Sequence, residues 1–195
     1  MSTPNADKHI GSPSARINVQ YPEQPHEIHP IGPKPGVIWP YVRAAKVAKE
    51  GSFYTPVAGS RESGFKARPV FYGMMLAGQL AGGRMRAMTL DAPQAGATAY
   101  AADMENSGTR IVVINKDASS DLLVRIQSRS GVRIWRLEAP GLTATAEVTL
   151  AGAPIEATHP WKPRREERIA SHEGFVDLKV SAASAIVLFS DGRLA

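Results

Sequence analysis

The chain has 195 residues, of which 43% are hydrophobic and 21% charged, a net charge of +5 and no cysteine. That length holds one full domain with an appendage but not a complete eight-stranded (β/α)8 barrel, which takes about 250 residues. The missing cysteine excludes disulfides, thiolate metal sites and thiol nucleophiles. No apolar run approaches the roughly 18 residues of a membrane span, and the basic residues are interleaved with acids, so neither a membrane nor a nucleic acid is expected as partner.

Residues 1 to 50 hold eight of the fifteen prolines and no sustained apolar period, the composition of an extended, weakly ordered tail. Within residues 1 to 20 no basic start precedes an apolar core, so a secretion signal is not expected and the default compartment is cytoplasmic. His26 and His29 flank Glu27 one residue short of the zinc-protease pattern H-E-x-x-H, and prolines stand on both sides. That pattern works only when its histidines lie one helical turn apart, so a solvated tail is expected here and no metal. Residues 41 to 50, "YVRAAKVAKE", have the composition of a short helix but are too few to stand alone.

"GSFYTPVAGSRESGFKARPVFYGMMLAGQL", residues 51 to 80, reads as a polar loop with aromatics that feeds into an apolar helix. The glycines of "GSRESGFK" have the spacing of a phosphate-binding loop, but Phe65 stands where the lysine is required. Nucleotide binding is therefore rejected in favour of a mobile loop, and no cofactor is expected. Residues 69 to 82 predict the firmest helix, with Pro69 suited to its first position and glycine at 82 and 83 to stop it. Val70, Met74, Ala77 and Ala81 form one stripe, and Phe71 with Met75 and Tyr72 with Leu76 and Leu80 form adjacent ones. A stripe that wide predicts burial on more than one side.

After Gly83 the period becomes alternating. Strands are predicted over 84 to 90, 98 to 104, 110 to 115, 122 to 128, 132 to 138, 147 to 150, 175 to 180 and 185 to 189, with turn chemistry between them. The fold class this implies is mainly β: an antiparallel β-sandwich preceded by one helix. "WKPRREER", residues 161 to 168, reads as a solvated loop whose arginines pair with Glu166 and Glu167; an anion site with Trp161 stacking is the other reading. Glycoside cleavage needs two carboxylates flanking the bond, and nothing in the sequence brings any two of Glu62, Asp91, Asp103 and Glu105 together. No G-x-S-x-G elbow is present, so no catalytic residue is expected in this chain.

The stretch from 51 to 83, "VVINKD" at 112 to 117 and "VSAASAIVLFS" at 180 to 190 together resemble the C-terminal part of glycoside hydrolase family 79, the β-glucuronidases and heparanase-like enzymes. The resemblance spans residues 51 to 190 and rests on the order of several weak motifs. It implies that residues 51 to 83 are the last barrel loop and helix, that 84 to 195 are the C-terminal sandwich, and that the helix is apolar because it sits between barrel and sandwich. It also implies that Tyr54, with Phe53 and Ser52, holds a uronic acid carboxylate; from the residues alone, Tyr54 reads equally as a loop aromatic packed on the helix. The catalytic glutamates of that family belong to earlier barrel strands, which the first 50 residues do not resemble. The expectation is a noncatalytic, truncated portion of a β-glucuronidase-like enzyme, with a glucuronide-type carbohydrate as ligand of the complete enzyme and a catalytic-barrel chain as partner. The rival expectation is a freestanding sandwich that binds carbohydrate or protein through Trp135 or Trp161.

Overall fold

The computed structural model describes residues 55 to 91, 96 to 105 and 107 to 191, together with the backbone of residues 14 to 19. Thirteen strands and one helix follow in chain order among these residues. Strand β1 is Ser14–Val19, β2 Val57–Ser60 and β3 Gly64–Ala67, followed by helix α1, Pro69–Gly78. Then come β4 Arg84–Arg86, β5 Met88–Asp91, β6 Ala97–Met104, β7 Gly108–Asn115, β8 Leu122–Gln127 and β9 Val132–Glu138. The last four are β10 Thr149–Leu150, β11 Glu167–Ile169, β12 Phe175–Val180 and β13 Ser184–Ser190.

Two sheets carry the fold. The larger runs β10-β9-β13-β7-β6-β4, with β11 added beside β9, and the smaller runs β12-β8-β1-β5. β1 pairs parallel with β8 and antiparallel with β5; the other ladders are antiparallel. Between the sheets lies one core, made by Leu122, Val124 and Ile126 of β8 and Val176, Leu178 and Val180 of β12 against Ile111, Val113, Val132, Ile134, Ile186 and Leu188. Alternation puts those residues on one face: β8 and β12 bury every second side chain, as two-sided strands of a sandwich must.

β13 is buried along nearly its whole length, because its second face is also covered. Ala185, Val187 and Phe189 join Val112, Tyr72, Leu76, Val148 and Leu150 in a second core on the outer side of the larger sheet. A strand covered on both faces reads as a continuous apolar run, which is why "SAIVLFS" does not alternate. The antiparallel sandwich expected from the sequence is the observed fold.

Some expectations are corrected. Residues 84 to 90 form not one strand but two: the chain breaks at Ala87, so that β4 pairs with β6 in the larger sheet and β5 with β1 in the smaller. The segment read as a mobile loop is the hairpin β2–β3. Glu167 and Arg168, the last two residues of the charge run, form β11 with Ile169 rather than loop. β1 lies inside the proline-rich segment read as tail, where short strands are hard to see because they depend on distant partners for their ladders.

Candidate functional site

α1 begins where Arg68 is still extended, at φ −88° and ψ 162°, and Pro69 enters the first turn with no N–H to leave unpaired. From Pro69 to Gly83 there is no charged side chain. The helix ends at Gly78, earlier than expected, and turns continue to Gly82, whose φ of +76° is the left-handed stop that glycine permits. Tyr72 and Leu76, one turn apart, are its buried residues, set against Val112, Val187 and Phe189. The Tyr72 hydroxyl accepts a 2.9 Å bond from the Ile155 backbone N–H, which fixes the loop after β10 to the helix.

The far end is held by Arg110. Its Nη1 donates a 2.7 Å bond to the Gln79 carbonyl, and its guanidinium lies 5.5 Å from the centre of the Phe189 ring. A cation there suits the carbonyl end of a helix. Its Nε is buried with no hydrogen-bond partner among the described residues.

The opposite side of α1 is uncovered among the described residues, as a last barrel helix without its barrel must be. Val70 is 50% exposed and Met74 58%. Around them the same outer layer presents more apolar surface. Val57 pairs with Ala67, which packs into the outer core, and Phe65 shares that hairpin face at 51% exposure. Tyr100 lies opposite Val112, and Met85 opposite Ala102, so both point to the outer side of the larger sheet. With Leu142, these make seven of the nine large hydrophobic side chains exposed among the described residues; Leu123 and Phe175, on the smaller sheet, are the other two. Scattered exposed apolar residues are ordinary, whereas such concentration on one side makes this face the candidate interaction surface.

A pocket of about 200 Å3 adjoins this face at the start of α1. Pro69 borders it on one side and Leu142 on another, with Val148 and Ala185 of the outer core beneath. Lys116 and Glu138 supply its charges.

The sequence-predicted site residues are placed as follows. Ser52, Phe53 and Tyr54 lie outside the described residues, as do His26, His29 and the short helix read over 41 to 50. The glycines of the phosphate-loop look-alike serve the hairpin. Gly59 has φ +107°, and a Cβ there would stand 1.9 Å from the Gly64 carbonyl oxygen. Ser60 and Ser63 close its turn on each other.

Of the four carboxylates, Asp103, Asp91 and Glu62 lie on three different elements. Asp103 is ion-paired with Arg86 and accepts a 2.9 Å bond from the Thr109 hydroxyl, Asp91 lies on the smaller sheet, and Glu62 lies in the hairpin turn. Among the described residues no group of three His, Cys, Asp or Glu could hold a metal.

The charge run pairs as expected, and further. Arg165 meets Glu167 at 3.3 Å and Arg168 meets Glu166 at 3.6 Å. Glu167 also takes the Arg136 guanidinium through bonds of 3.0 and 3.1 Å, and the hydrogen bonds from Arg136 hold its carboxyl below the ordinary value, against the opposing effect of burial. Trp135 donates from Nε1 to Glu166 at 3.1 Å and meets Phe189 and Trp161 edge-on at 4.7 and 5.6 Å. Its faces are thus engaged within the outer core, the position of a packing residue.

The sequence matches no protein-family model and no curated protein. In fold it is similar to parts of solved glycoside hydrolases. The α-L-arabinofuranosidase from Thermotoga maritima, solved with arabinose, aligns at TM-score 0.54 and 14% identity over 70% of this chain and 31% of that one. The GH51 arabinofuranosidase from Xanthomonas axonopodis pv. citri aligns at 0.53 and 16% over 69% and 28%. The thermostable GH51 α-L-arabinofuranosidase from Thermotoga petrophila RKU-1 aligns at 0.52 and 15% over 68% and 31%. The chain therefore spans under a third of the length of these enzymes and shares the fold of a portion of them.

Proposed function

We propose that this chain is the noncatalytic β-sandwich portion of a β-glucuronidase-like glycoside hydrolase, and that the outer face of its larger sheet, with α1 and the β2–β3 hairpin, packs on the enzyme's catalytic (β/α)8 barrel. The observation that carries this reading is the charge-free side of α1, uncovered among the described residues, where Val70 and Met74 stand amid five further exposed apolar side chains. A water-facing helix carries charge on its outer side; one that lies between two layers does not. The fold shared with parts of glycoside hydrolases supports the same reading, and the family 79 motifs supply its finer grade. In sequence, residues 51 to 54 come just before the hairpin of this face. Tyr54, with Phe53 and Ser52, would there meet the uronic acid carboxylate through a phenol and backbone N–H groups. Retaining hydrolysis would use two glutamates of the barrel.

The test is light scattering on the purified chain, with hydrolysis of a chromogenic β-glucuronide followed on the same fractions. The expected result is an inactive, self-associating chain that becomes monomeric on Met74→Glu with Val70→Glu. A wild-type chain that is a compact monomer, or one that turns over the glycoside, overturns the reading.

A further inference from the structure

We infer that the pocket at the start of α1 is a socket for one side chain of the docking partner, of leucine or phenylalanine size, flanked in that partner by a basic and an acidic residue. The inference rests on the docking reading above and names what the partner must present.

Size is the first argument. A volume of about 200 Å3 falls below the roughly 300 to 1,000 Å3 of small-molecule sites, and it suits a single anchoring side chain. Its lining is the second. Val148 and Ala185 are buried beneath it and Leu137 and Ile114 wall it, while Leu142, 62% exposed, extends the apolar wall outward. A side chain buried in a well-packed pocket of this kind can carry much of an interface's energy.

Charge is the third argument. Lys116 is exposed and Glu138 half-buried at the pocket, and neither has an ion pair within the described chain. A half-buried carboxylate without a partner favours a cation brought to it, and opposite charges at one site fix the partner's direction. Continuity is the fourth, since Pro69 both borders the pocket and begins the uncovered helix.

The test is a nuclear magnetic resonance titration of the full chain with two capped tripeptides, Lys-Leu-Glu and Lys-Ala-Glu. Saturable shifts at the amides of Ile114, Leu137 and Ala185 are expected with the first, and binding at least about tenfold weaker with the second, the ratio expected for burying or losing a leucine side chain. Ala185→Trp fills the pocket and should abolish the shifts; Ala144→Trp, in the loop that lines it, does the same should the first variant fail to fold. Glu138→Gln should weaken binding at low salt. Shifts that are absent, equal for both peptides or centred on Val70 and Met74 overturn the socket. Light scattering on the same samples separates the two readings. Peptide binding lost while Met74-dependent association persists overturns the socket alone, and pocket binding without that association keeps the socket and removes barrel docking.

Discussion

Arg110 on β7 and Gln79 at the end of α1 are 31 residues apart in sequence and joined by a 2.7 Å bond from guanidinium to carbonyl, with Phe189 beneath the cation. One side chain thus fastens the helix to the sheet it covers. Arg110→Met should keep the packing volume and lose the bond and the cation–ring contact, a cost of about 1 to 3 kcal/mol. Urea unfolding measures it, and hydrogen exchange should show the loss concentrated over residues 76 to 82.

Tyr72→Phe isolates a smaller term. The ring stays in the outer core, and the Ile155 N–H loses its 2.9 Å acceptor. The denaturation midpoint should fall by the equivalent of about 1 kcal/mol with an unchanged slope. An unchanged midpoint would show that water replaces the phenol.

Asn115 offers a sharper test. Its amide nitrogen donates to the carbonyls of Ser120, Val180 and Ser181 at 2.8, 3.2 and 3.0 Å, and the residue is 2% exposed. Asn115→Asp aims a carboxylate at three carbonyl oxygens and should destabilise by about 3 to 5 kcal/mol at neutral pH. Desolvation raises the folded-state pKa of the new acid, so the penalty should shrink as pH falls toward the ordinary carboxylate range. Thermal unfolding of both forms between neutral pH and pH 4 checks the sign.

Glu167 predicts the reverse slope in the natural chain. Hydrogen bonds from Arg136 lower its pKa from the ordinary 4.5. The ion pair therefore contributes its full stability above about pH 4.5 and loses it as pH falls through the lowered value. Glu167→Gln should flatten that part of the stability curve and leave the region above pH 6 parallel to that of the parent.

Gly108 shows why a turn residue can be irreplaceable. It has φ +74°, and a Cβ there would stand 1.9 Å from the Ser190 carbonyl oxygen. Gly108→Ala should cost more than the roughly 1 kcal/mol of the left-handed conformation alone, because the backbone of β13 has to move. A circular-dichroism melt that matches the parent's would contradict the close approach.

The sandwich was legible because its strands carry their own period. "LLVRIQ" and "FVDLKV" alternate in step with the face they bury. What the pattern concealed depends on partners remote in sequence. Glu167 and Arg168 read as loop because charge dominates them, and only the neighbouring β9, with Arg136 waiting, makes them part of a strand. The stripe on α1 correctly announced an apolar helix, but a stripe records composition and not which side is covered, so the exposure of Val70 and Met74 could not be read from it. Arg110 could have been noticed as a cation beside the apolar "IVVIN" run, although its carbonyl partner is visible only in three dimensions. The pocket left no linear trace, since Pro69, Leu137, Leu142 and Ala185 come from four separate parts of the chain.

The placement of β1 between β8 and β5 has a consequence for biosynthesis. Ser14 pairs with Leu123 and Arg16 with both Arg125 and Asp91. The ribosome therefore releases the central strand of the smaller sheet about a hundred residues before the neighbour that completes its ladder, and contacts that distant close slowly. Until β8 emerges, β5 is the only partner strand for β1 in that sheet among the described residues, with one row of its backbone hydrogen-bonding groups lacking a strand. During that interval the nascent chain carries an open edge of the kind that recruits chaperones or strays into wrong pairings.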